Sequence, residues 1–115
     1  MKVKIIKYSE IVCENAFWAK DFFSRLVGLL GKKSFGDIDG LLLSPCSQIH
    51  SIGMKFNFDA VYLDNTYRII ELYENVGKNR IMPYNVAVKN VLELPIGTIS
   101  EKKLGVGDVL KVISE

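Results

Sequence analysis

The sequence predicts a mainly β fold, either a jelly-roll-like β-sandwich or a partly open barrel, standing near the α+β margin. Three observations carry this reading. From residue 39 onward, short apolar and β-branched runs are punctuated by Gly, Pro, Asp and Asn. Only one long segment, near residues 16–30, has helical periodicity. The chain has 115 residues, 49% apolar and 24% charged, which is enough for one buried core without staples. A single globular domain over residues 1–115 follows, with no internal repeat or linker.

The elements run as follows. "VKIIK" (3–7) is a β-branched first strand and "EIVCE" (10–14) its partner. In "NAFWAKDFFSRLVGLLG", Trp18, Phe22, Leu26 and Leu29/Leu30 recur at three and four, an amphipathic helix that stops at Gly31. In a small domain such a stripe is core-facing. "GLLL" (40–43) is a strand ending before Pro45, and "HSIGMKF" (50–56) reads as extended. There His50, Ile52, Met54 and Phe56 would share one side. Residues 59–64 and 67–73 flank "DNT", whose Asp and Asn suit a hairpin turn. Residues 86–94 form a strand stopped by Pro95, and 108–113 the last one. Between them, Thr98 followed by Glu101 is a capping-box pattern for a short helix near 99–104.

Charge and cysteine usage exclude several classes. Fifteen basic against thirteen acidic residues leave a net charge of +2, too little for a surface that tracks phosphates. The basic "GKNR" (77–80) reads as a solvated loop, so nucleic acid is not an expected partner. No run approaches the roughly 18 apolar residues of a membrane span, and "MKVKIIKYSE" has no signal-peptide core. Cys13 and Cys46 form no C-x-x-C pair. The expectation is a cytoplasmic protein with reduced thiols and no membrane insertion.

Chemistry concentrates in "CSQIHSIGMKFNFD" (46–59), where Cys46, the single histidine His50 and Met54 stand four residues apart. Thiolate, imidazole and thioether are the soft donors that select copper. On a strand, however, four residues span roughly 13 Å, and on a helix i and i+8 are about 12 Å apart. Only a loop bent at Pro45 and Gly53 would bring the three together. A blue-copper centre also needs two histidines. No metal and no cofactor are therefore expected, and copper is kept as an alternative.

A hydrolase would use Cys46 with His50, oriented by Asp59 or Glu93, or Asp59 and Glu93 as an acid–base pair. No nucleophile-turn signature surrounds Cys46, and no G-x-S-x-G occurs. The sequence favours a non-catalytic binding module over an enzyme. Its candidate cleft comprises Arg25, His50, Met54, Asp59 and Glu93, ionisable or polarizable side chains set among apolar strands, taking a small molecule or a protein segment. A structural alternative has Arg25, Asp59 and Glu93 in a buried salt-bridge network, costing roughly 3–5 kcal/mol if broken on one side.

The ordered motifs "RLVGLLG", "DGLLLSPCSQIHSIGMKFNFDAVYLD", "VLELPIGT" and "GVGD" resemble those of domain-of-unknown-function family 192, from about Arg25 to the C-terminus. The resemblance implies a compact β-rich fold of jelly-roll or barrel type. It places recurrent family positions on Arg25, Gly28, His50, Met54, Asp59, Glu93, Gly97, Gly107 and Asp108. It implies no activity, cofactor or substrate. Many family members begin with an export signal, from which this sequence departs.

Overall fold

Seven strands form one sheet among the described residues, which in this computed structural model are 1–21, 24, 25 and 28–114. The strands are β1 (Lys2–Lys7), β2 (Glu10–Ala19), β3 (Gly40–Leu43), β4 (Phe58–Leu63), β5 (Ile69–Val76), β6 (Asn90–Pro95) and β7 (Leu110–Ser114). One short helix, α1 (Thr98–Glu101), joins β6 to β7. The spatial order is β5-β4-β6-β3-β2-β1-β7. Every neighbouring pair is antiparallel except β2 with β3. A parallel pair needs a long crossover, here residues 20–39, and that segment supplies one wall of the cavity described below.

The expected mainly β architecture is present, and the sheet is not closed into a barrel. Its edges, β5 and β7, meet only at one end, through an isolated bridge between Arg68 and Val109. The Ile69 N–H donates to the Asp108 carbonyl and the Leu110 N–H to the Tyr67 carbonyl beside it.

Alternation along the strands builds two cores, one on each face. Leu42, Val61, Leu63, Leu92 and Leu94 join Val3, Ile5, Ile99 and Leu104 on one face. Leu41, Leu43, Phe58, Ala60, Tyr62 and Val91 face the other way, against Leu29, Phe35, Ile49, Met54 and Met82 of the connecting segments. Both faces being covered, all six residues of β4 are buried, which gives the continuous apolar run expected of a doubly covered strand.

Three expected elements change. Residues 16–19 of the predicted helix belong to β2. Two of that helix's stripe positions, Phe22 and Leu26, lie outside the described residues. Ser24 and Arg25 are helical, with the Arg25 N–H on the Asp21 carbonyl and the Gly28 N–H on the Ser24 carbonyl. Asp21 caps this turn, its Oδ1 accepting from the Ser24 N–H at 2.7 Å. The strand reading of 16–19 was hidden by a bulge: Val3 pairs with Ala16 but Ile5 with Cys13. The two-residue period is thereby interrupted. Asp39 secures the bulge by accepting from the Glu14 and Asn15 N–H groups at 2.8 and 2.9 Å.

The capping box does not form. Gly97 is the N-cap, left-handed at φ 90°, without a side-chain cap bond, and the Thr98 hydroxyl donates to the Pro95 carbonyl at 2.6 Å. The Asp59 carboxyl takes over the capping, from β4. The predicted strand over 86–94 begins only at Asn90.

Gly40 is tightly packed in the sheet. It lies opposite Ala16, and a Cβ placed there would sit 2.7 Å from the Cys13 Sγ and 3.3 Å from a Leu94 methyl. Gly40→Ala should cost about 1–3 kcal/mol through overpacking, measured by urea denaturation. Adding Cys13→Ala should recover part of the loss; full stability in Gly40→Ala alone would contradict the contact.

Candidate functional site

The site grows from Glu93 in β6. Its backbone pairs with Leu41 of β3 and Ala60 of β4, which puts its side chain at mid-sheet on the face covered by the connecting segments. Glu93 is 6% exposed and lines a cavity of about 290 Å³. No described residue donates a hydrogen bond to it or pairs with its charge. Burial alone pushes its carboxyl up from 4.5 to about 8.

The cavity's other walls come from two segments. The crossover contributes Arg25, Gly28, Leu29 and Leu30. Arg25 does not pair with Glu93 or Asp59. Its Nη1 donates to the Lys20 carbonyl at 2.7 Å and to the Ser44 carbonyl at 3.4 Å. These bonds tether the guanidinium at the rim, and among the described residues its Nε and Nη2 donors have no acceptor.

The β3–β4 connection contributes Cys46, Gln48, Ile49, His50 and Met54. It was expected to be extended, and this is corrected: residues 44–57 form bends and turns, with one isolated bridge from His50 to Ile81. The Ser44–Pro45 peptide is cis, and Gly53 turns at φ 85°. A Cβ on Gly53 would also come within 3.1 Å of Leu30. The bends bring Cys46, His50 and Met54 around one cavity, so the separation computed for a regular backbone does not apply.

Ser51 holds this loop in shape. Fully buried, its hydroxyl donates to the Gly77 carbonyl and accepts from the Arg80 N–H. Its backbone binds Arg80, Asn79 and Met54. Sequence reading passed over Ser51; the available signal was a small polar residue between His50 and Met54 in an apolar stretch. It likewise passed over Leu29, Leu43 and Ile49, whose role is wall surface.

The protonation pattern of these side chains matters more than their spacing. The Ile52 N–H donates to His50 Nδ1 at 3.2 Å, so neutral His50 carries its proton on Nε2 and is a donor. Ligating a metal through Nε2 would require moving that proton to Nδ1 and losing this bond. The Cys46 thiol donates to the Gln48 carbonyl at 3.2 Å, and its pKa is raised, chiefly by burial. A thiol in that state is neither an activated nucleophile nor a ready ligand. No described cluster of three or more His, Cys, Asp or Glu side chains is arranged to hold a metal ion.

Asp59 does not join the site. It is fully buried on the opposite face of the sheet, where Oδ1 accepts from the Asn75 N–H at 2.9 Å and Oδ2 from the Ile99 N–H at 3.0 Å. The structure thus gathers Arg25, His50, Met54 and Glu93 at one cavity and leaves Asp59 out. The predicted Asp59–Glu93 acid–base pair and the Arg25–Asp59–Glu93 salt-bridge network are both corrected: adjacent positions on β4 and β6 project these carboxyls to opposite faces.

Comparison with known proteins bears on the fold. The family model described as DUF192, Uncharacterized ACR, matches residues 6–112. A crystal structure of a protein of unknown function from Novosphingobium aromaticivorans superposes with a TM-score of 0.80 at 16% identity, covering 96% of this chain and 84% of that one. A Sinorhizobium meliloti protein, provisionally described as a transcription regulator, gives 0.73 at 21% identity, covering 96% and 92%. No curated protein matches the sequence. No helix among the described residues is long and apolar enough to cross a membrane.

Proposed function

The chain belongs to the DUF192 family, and we propose that it is a non-catalytic binding module whose small ligand occupies the cavity over Glu93. One observation carries this reading: a buried carboxyl without a partner among the described residues lines the cavity. Among the described residues the one buried side-chain polar atom without a partner is Trp18 Nε1, so the Glu93 oxygens reach the open cavity, and a perturbed titratable group in a concave site supports a functional position. The volume of about 290 Å³ lies at the lower end of small-molecule sites. Catalysis is disfavoured by the protonated Cys46 thiol, by the Nδ1 acceptor bond of His50 and by the separation of Asp59 from Glu93.

A thermal-shift screen of chemically diverse small molecules tests this. A true ligand at about one hundred times its Kd should stabilise the protein by about 2.7 kcal/mol. Glu93→Leu and His50→Ala should each weaken that stabilisation. Hits indifferent to both substitutions would place the site elsewhere, and an absence of hits would remove the reading.

A further inference from the structure

Two of the cavity's polar side chains, Arg25 and His50, offer it protons or positive charge. Among the described residues, Arg25 has no acceptor for its Nε and Nη2 donors beyond the two carbonyls on Nη1. His50 presents Nε2–H because Nδ1 is occupied by Ile52. Gln48 has its amide nitrogen committed to the Met82 carbonyl at 2.9 Å, and Cys46 has its proton committed to Gln48. Leu29, Leu30, Leu43, Ile49 and Met54 make up apolar wall.

Resting on the binding reading above, we propose that the ligand is a small monocarboxylate, its oxyanion held by Arg25, His50 and Glu93 and its short apolar body against Leu29, Ile49 and Met54. The volume of about 290 Å³ admits roughly ten heavy atoms, taking about 30 Å³ as one water's share. Glu93 serves this ligand only as the neutral acid, donating its O–H to the anion, as a carboxylate would repel it. A carboxyl pushed up to about 8 by burial is largely neutral at pH 7. The titratable and charged groups around it are Arg25 on the crossover, Cys46 and His50 on the β3–β4 connection, and Tyr62 on β4. Glu71 of β5 acts on Tyr62 in turn. Of these, Tyr62 is pushed up to about 12 and Cys46 upward, both by burial, so neither ionises before Glu93. Arg25 remains cationic throughout.

The test uses three probe sets at pH 6.5: hexanoate and benzoate, the neutral alcohols hexanol and benzyl alcohol, and the amines hexylamine and benzylamine. The readout is the ε-methyl NMR signal of Met54, a cavity residue, with Met1 and Met82 as internal controls. The carboxylates should bind at least tenfold tighter than their alcohols and amines. Their affinity should fall about thirtyfold between pH 6.5 and 9.5, as Glu93 loses its proton. In Glu93→Gln, whose amide remains a donor, carboxylate binding should persist without the fall centred near pH 8. Preference for the amines, or affinity that rises above pH 8, would overturn the carboxylate assignment and leave the binding cavity standing. If no probe of any class moves the Met54 or the Met82 signal, the carboxylate assignment and the binding reading fall together. An unmoved Met54 with bound probes detected at Met82 would relocate the site.

Discussion

Raising the pH from about 5 to about 8 should destabilise this protein by up to about 4 kcal/mol through Glu93 alone. The native carboxyl holds its proton until about 8, whereas the unfolded chain releases it near 4.5. Between those values the folded state binds the extra proton, so stability falls as pH rises, by about 1.4 kcal/mol per pH unit. The contribution is absent below the unfolded value and constant above the folded one. Asp64 and Asp108 run the other way, their carboxyls held low by hydrogen bonds from the 64–68 turn and from the Gly105 N–H. Their stabilisation is lost in acid, below the window in which Glu93 acts. Denaturant unfolding at a series of pH values, on the native chain and on Glu93→Gln, isolates the difference. The variant should be the more stable of the two at pH 8 and lack the slope. Equal slopes would mean that native Glu93 is ionised and paired.

Asp59→Ala should be strongly damaging on the other face, costing roughly 1–3 kcal/mol through its buried backbone partner. It would strip partners from two backbone N–H groups, Asn75 at the far end of β5 and Ile99 at the start of α1. A buried N–H left unsatisfied costs about 1–3 kcal/mol, and this applies to Ile99, since Asn75 is exposed and its N–H can turn to water. Ile99 belongs to the core beneath α1, so water cannot readily substitute. Hydrogen exchange should show the Asn75 and Ile99 amides losing protection ahead of β1 and β2. Ligand binding in the remaining folded fraction should survive, since Asp59 lies across the sheet from the cavity. Loss of binding with full stability would instead make Asp59 part of the site.

The strands whose two faces are both buried were the legible part of this sequence. β3, β4 and β6 announce themselves as "GLLL", "FDAVYL" and "NVLELP", because continuous burial leaves little else but apolar residues. β2 was legible only to about Glu14. Past the bulge, Ala16, Phe17 and Trp18 read equally well as the first turn of the helical stripe, and nothing local reveals that Asp39 accepts the bulged N–H groups. The short helix at 98–101 was found for the wrong reason: its cap is Asp59, forty residues away. A capping bond over that distance leaves no sequence pattern.

At the site, residue types were readable and faces were not. Arg25, His50, Met54 and Glu93 were singled out as polar or polarizable groups in apolar surroundings, and they share the cavity. Asp59 satisfied the same criterion and belongs to the opposite face, because β4 and β6 alternate independently and their relative register is a tertiary fact. The convergence of Cys46, His50 and Met54 escaped for a complementary reason. Their spacing was judged on regular backbone, while the bends at Pro45 and Gly53 and the anchoring by Ser51 create an irregular one.

The position of β1 has a consequence for how the chain is made. Val3 pairs with Ala16 on one side and with Ser114 on the other. The first hairpin can therefore close early, around Tyr8, while its outer edge has to wait for β7. Strand pairing across such a sequence separation is slow, and a waiting edge invites association with neighbouring chains. β1 carries lysines at 2, 4 and 7, the residue type that most effectively discourages edge-to-edge growth. Three lysines on that edge disfavour pairing with a neighbouring chain whenever β7 is not in place.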